Sequence, residues 1–164
     1  MDPLDQIDWK IIRLLNKDGR MSSVEIARML GDISARTVTN RISDLVERGI
    51  IHIRSVVNPE MVGFDVLADV FIDVEPGHVR DVAEHLADLP QISYVACATG
   101  DVDVIVSVRA QDIQALYDFV IETVGKIPGV RHTHTIPLAL KLKSMATWMP
   151  PGVLDNSDEE DVEG

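Results

Sequence analysis

The sequence predicts an α+β protein in two parts, the first helical and the second built on a sheet. Three observations lead there. Apolar residues recur at helical spacing through the first fifty positions, and from Phe64 the period changes to alternating through Val74. Pro76-Gly77, Pro90, Thr99-Gly100-Asp101 and Pro128-Gly129 divide the second part into strand-period and helix-period segments. Charge is also shared unevenly: residues 1–60 hold nine Lys and Arg against nine Asp and Glu, and the rest of the chain carries the whole net charge of −12.

Taken in order, Asp5 or Asp8 is placed to cap a first helix with the apolar stripe Ile7, Ile11, Leu14 and Leu15, ending at Gly19 in a left-handed cap. Ser22 and Glu25 stand in the relation of a capping box, opening a second helix whose face is Ile26, Ala27 and Leu30. Gly31 ends it. Ser34 caps a third helix that buries Val38, Ile42 and Leu45 and turns Arg36, Asn40, Ser43, Asp44 and Glu47 outward, with Thr37 on the flank. Two short helices joined by a tight turn make a helix-turn-helix. Gly49 stops it, and the β-branched run Ile50 to Val57 reads as a strand, half wing and half linker.

Beyond Asn58-Pro59, Val66, Ala68, Val70, Ile72 and Val74 alternate with Leu67, Asp69, Phe71 and Asp73 in a strand. Val79 to Leu89 follows at helical spacing, then strands over Ile92–Ala98 and Val102–Val108. A helix over Asp112–Lys126 is expected to bury Ile113, Leu116, Val120 and Val124, and a long last strand over Val130–Lys143 carries Pro137 at an edge or bulge. The order β-α-β-β-α-β is the ferredoxin-like arrangement, with both helices on one face of a four-stranded antiparallel sheet. The expected divisions are a winged helix-turn-helix domain at 1–49, a linker at 50–63, the sheet domain at 64–144 and an acidic tail at 145–164. Six acids fall in the last ten residues. The uncovered sheet face would leave Leu67 and Phe71 wet, so a second copy packing there is expected, which would also present two helix-turn-helix units to a twofold DNA site.

A helix offering Arg, Thr and Asn near its N-terminus suits major-groove base edges. Arg36, Thr37 and Asn40 are therefore expected to read bases, and Arg20, Ser22, Ser34, Thr39, Arg41 and Arg54 to bind phosphates. Cys97 is the only cysteine, which excludes an intrachain disulfide and a C-x-x-C motif. No run approaches the roughly 18 apolar residues of a membrane helix, and the opening MDPLDQID is acidic where a signal peptide would be basic and then apolar. The expectation is a cytoplasmic protein without a membrane partner. His132 and His134 share a strand face but nothing completes a metal set, and no phosphate loop or catalytic motif is present, so neither metal, cofactor nor enzymatic activity is expected.

From Leu4 to about Ser144 the chain resembles the Lrp/AsnC family, the feast/famine transcription regulators. The matching residues are Leu4-Asp5-x-x-Asp8, Lys17-Asp18-Gly19-Arg20, Ser34-x-x-Thr37-Val38, Arg41-Ile42, Gly49-Ile50-Ile51, Asn58-Pro59, Gly63, Thr99-Gly100-Asp101-x-Asp103 and Gly129-Val130. Asp32 departs from the family pattern by lengthening the turn before Ser34, and the tail beyond Ser144 lies outside the likeness. The resemblance implies a homodimer or ring of dimers that binds double-stranded DNA, with a small effector, commonly an amino acid, at Thr99, Gly100, Asp101 and Asp103. Gly100 would let the backbone approach a carboxylate, and Asp101 or Asp103 would meet an ammonium. An ordinary hairpin turn would use the same residue types. Two alternatives differ in class: a small-molecule sensor acting through partners without DNA, and an enzyme similar to sirohaem decarboxylases, which share the two-domain layout. The second would need bases around a porphyrin-sized cavity, and the sheet domain has few.

Overall fold

The computed structural model describes residues 3–143 and 148–151. The chain forms two compact units. One takes in the chain up to Val56 and again from Lys143, and the other runs Val57–Leu142.

The first unit is built on three helices: α1 (Gln6–Lys17), α2 (Ser23–Leu30) and α3 (Ala35–Glu47). Asp5 and Asp8 form a reciprocal capping box at α1, Ser22 and Glu25 form one at α2, and the Ser34 side chain accepts from the Thr37 N–H at α3. Ile11, Ile12, Leu15, Ile26, Ala27, Val38 and Leu45 make the core between them. Each of the Val, Leu and Ile side chains contributes about 1.5–3 kcal/mol when fully buried. Met149 belongs to the same core, so part of the expected tail packs with the helix-turn-helix. Gly31 ends α2 at φ +81° and Gly49 follows α3 at φ +67°, as the turn chemistry requires.

Two expectations for this unit are corrected. Helix α1 does not end on a left-handed Gly19: Asp18 leaves the helix extended, at φ −143°, and its Oδ1 accepts the Arg20 N–H at 2.9 Å. The side chain of Asp18 makes the turn that glycine would otherwise supply. Residues 51–57 are not a strand; they join no sheet, and Ile53, Val56 and Val57 are exposed. A β-branched run becomes a strand only where another strand completes its ladder.

The second unit is a four-stranded antiparallel sheet in the order β2-β3-β1-β4, from β1 (Val66–Val74), β2 (Ile92–Cys97), β3 (Val104–Ala110) and β4 (Val130–Pro137), with α4 (Val79–Ala87) and α5 (Ile113–Glu122) between strands. Ala68, Val70, Ile72 and Val74 of β1 and Val104, Val106, Val108 and Ala110 of β3 bury one face against Val82, Leu86, Leu116, Phe119 and Val120. Alternation leaves Leu67, Asp69, Phe71 and Asp73 on the opposite face, with cross-strand partners Arg109, Ser107 and Ile105 on one side and Ile136, His134 and His132 on the other.

Here too the structure departs from expectation. Ile113 is exposed and Phe119 takes the buried position, because α5 starts after its cap, Asp112, and Ile113 shares an outer stripe with Tyr117 and Ile121. Strand β4 stops at Pro137 rather than Lys143. It lies at the sheet's edge beside β1, the Leu138 N–H bonds to the Leu67 carbonyl at 2.8 Å, and β1 begins at Val66, so the chain beyond has no strand beside it.

Candidate nucleic-acid interface and ligand loop

Helix α3 has one face in the core, through Val38 and Leu45, and the other in solvent: Arg36, Thr37, Asn40, Ser43, Asp44 and Glu47 are all exposed. Arg36 and Asn40 lie one turn apart, so their side chains leave the same face. Thr37 Oγ1 lies 2.9 Å from Ser34 Oγ, which ties its hydroxyl to the cap. At the other end of the face, Asp44 is paired with Arg48 at 2.7 Å.

The residues expected on phosphates separate into two groups. Arg20 is almost wholly exposed, 3.9 Å from Asp18, and Arg54 is exposed. Ser22 and Ser34 sit at the N-termini of α2 and α3, where backbone N–H groups and the helix dipole favour anions. The Ser22 hydroxyl donates to Glu25 at 2.7 Å, and Ser22 hydrogen bonding holds the Glu25 carboxyl below the usual carboxylate range. Thr39 and Arg41, in contrast, are bonded within the unit, Thr39 while remaining exposed. Thr39 Oγ1 donates to Ser23 Oγ at 2.9 Å and to the Ala35 carbonyl at 3.0 Å. Arg41 Nη1 lies 2.7 Å from both Asp5 Oδ2 and Asp8 Oδ1. Those bonds, that to Asp8 first, raise the Arg41 pKa further. In the sequence Asp5 and Asp8 were legible only as caps; their pairing with a residue 36 and 33 positions away was not.

In the sheet unit, the loop between β2 and β3 gathers Thr99, Gly100, Asp101 and Asp103 but turns them different ways. Thr99, Gly100 and Asp101 are exposed, and Gly100 holds φ +132°, a conformation that favours glycine. Asp103 faces the sheet: its Oδ2 accepts the Val74 N–H at 2.8 Å, its N–H donates to the Ile72 carbonyl at 3.1 Å, and its carbonyl accepts from Ala98 at 2.8 Å. Asp101 instead borders a recess of about 400 Å³ on the outer sheet face, with Phe71, Asp73, Val102, His132, His134 and Ile136. The Phe71 and His134 rings, opposite each other across the strands, lie 6.3 Å apart. Among the described residues no group of three or more His, Cys, Asp or Glu is arranged to hold a metal ion. None of the described helices is long and apolar enough to cross a membrane.

A capped helix-turn-helix with a polar outer helix face, on the same chain as a βαββαβ unit, defines a two-domain transcription regulator. The Winged helix-turn-helix DNA-binding profile matches residues 4–52, and the Lrp/AsnC ligand binding domain profile matches residues 67–146. The chain is 40% identical over 133 residues to an uncharacterized HTH-type transcriptional regulator of Pyrococcus abyssi, covering 80% of this chain and 84% of that one. It is 39% identical over 148 residues to the HTH-type transcriptional regulator FL11 of Pyrococcus furiosus, covering 90% and 96%. In fold it is similar to the transcriptional regulator NMB0573 of Neisseria meningitidis, solved in complex with L-Met: the TM-score is 0.83 at 22% identity, over 90% of this chain and 97% of that one. The chain belongs to the Lrp/AsnC family of transcription regulators.

Proposed function

We propose that this regulator acts as a homo-oligomer inside the cell, reads a specific DNA site with Arg36, Thr37 and Asn40, and responds to a small effector, an amino acid or a relative of one. The observation that carries the DNA reading is the outer face of α3, where Arg36 and Asn40 stand exposed one turn apart just after the Ser34 cap. Arg20, Ser22, Ser34 and Arg54 fix register on phosphates. The outer sheet face, with Leu67, Phe71, Tyr94 and Ile136, is the surface on which a second copy packs, placing two readers on one duplex. The exposed turn Thr99-Gly100-Asp101 takes the effector, Gly100 bringing backbone N–H groups to a carboxylate and Asp101 meeting an ammonium. The L-Met in the Neisseria structure supports a ligand of this class. For the effector to act, it must bind two arrangements of copies with different affinity.

Binding selection on genomic fragments, with and without a panel of amino acids, tests this reading. The expected result is a common sequence enriched from a few fragments, with enrichment altered by at least one amino acid. Uniform recovery of all fragments would remove the sequence-specific reader, and enrichment indifferent to the whole panel would remove the amino-acid effector.

A further inference from the structure

Asp5 and Asp8 use all four of their carboxylate oxygens. Asp5 Oδ1 accepts the Asp8 N–H at 2.8 Å and Asp8 Oδ2 accepts the Asp5 N–H at 3.1 Å, which closes the cap of α1. The two oxygens left over, Asp5 Oδ2 and Asp8 Oδ1, converge on Arg41 Nη1 at 2.7 Å each. Both carboxylates are therefore held by backbone N–H groups independently of the guanidinium. Asp8 is the most enclosed of the three, with 12% of its side chain exposed against 30% for Arg41 and 49% for Asp5.

Arg41 follows Asn40 directly and lies one turn beyond Thr37, on the flank of α3 that meets α1 rather than on the outer face. We infer that Arg41 is a positioning residue: by tying α3 to the preformed cap of α1 it fixes the rotation of the reading helix, and it does not bind a phosphate. The inference rests on the DNA-reading role of α3 proposed above. Apolar contacts through Val38 and Leu45 hold α3 against the core but are non-directional. Two short charge-assisted bonds to fixed acceptors supply the direction. A side chain reading a base edge must be held to within about 0.5 Å and 10–20°, so a turn of α3 about its axis would move Arg36 and Asn40 off their bases together. The charges agree with this assignment, since one cation between two carboxylates leaves the cluster net negative and offers nothing to a DNA backbone.

The test compares two DNAs: a duplex that the wild-type chain enriches from a random-sequence pool, and a scrambled duplex of the same length. Affinity for each is measured over a range of salt for wild type, Arg41→Met, and the triple variant Asp5→Asn, Asp8→Asn, Arg41→Met. The triple variant keeps side-chain oxygens for the cap and strands no carboxylate, so it separates positioning from folding. Its fold is checked by circular dichroism and thermal unfolding. Positioning predicts that both variants lose at least tenfold in preference for the enriched duplex, while the salt slope stays within half a unit of wild type. A phosphate ligand predicts the reverse: both DNAs weaken equally and the slope falls by about 0.9. That result, a triple variant with wild-type preference, or one that does not fold overturns the inference. A wild-type chain that enriches nothing removes the reading role itself and this inference with it, whereas wild-type enrichment with preference undiminished in the variants removes the inference alone.

Discussion

Asp5 combines two duties that pH can separate. Its carboxyl is held below the ordinary aspartate value, chiefly by the hydrogen bond from the Asp8 backbone and then by the bond to Arg41. A carboxylate whose folded pKa lies below its unfolded one adds stability that is present above the unfolded value and is lost as pH falls through the folded value. Wild type should therefore unfold at a higher temperature than Asp5→Asn at pH 7, and the gap should close as pH falls from the ordinary carboxylate value of about 4 through the lower value of the folded carboxyl. Asp103 and Asp101, two residues apart, should also separate. Asp103→Ala removes the acceptor for the Val74 N–H, with an expected loss of about 1–3 kcal/mol in the sheet unit by denaturant unfolding. Asp101→Ala, an exposed position, should leave stability within about 0.5 kcal/mol of wild type and abolish the effector's influence on DNA binding.

The elements were legible in the sequence to the extent that each made its own case. An aspartate cap at α1, the capping box at α2, the serine cap of α3 and the alternation of β1 are local, and they appear where the residues place them. The run at 51–57 and the end of β4 depart from the sequence pattern for one reason: β-branched or alternating residues describe a willingness to pair, and pairing needs a partner that the local sequence does not name. Ile113 stays outside the core because a helix's first turn is anchored by its cap, and the buried stripe begins only at Leu116. In the candidate site, the outer face of α3 could be read from the helical period alone. The bonds of Arg41 to the cap and first turn of α1, and of Thr39 to Ser23 on α2, could not. Arg36→Ala should consequently lower affinity for the selected duplex by about 1–3 kcal/mol in a titration, with little effect on a scrambled one.

Over the whole chain, a net charge of −12 and DNA binding are reconciled by distribution, because residues 1–60 balance at zero while the acids accumulate later. Association should then depend steeply on ionic strength, each neutralised phosphate adding about 0.9 to the slope of log K against log salt. Arg20→Ala and Arg54→Ala should each reduce that slope by about one unit, measured on any duplex, without altering site preference.

The seat of Met149 in the core of the three helices bears on the order in which the protein is made. Helices α1 to α3 leave the ribosome first, yet one of their core side chains is translated only after the entire sheet unit, Val57–Leu142. At 5–20 residues per second that interval is roughly 5–20 s. During it α3 stands on a core that still lacks Met149, a side chain that arrives only once the sheet unit of the same chain has been synthesised.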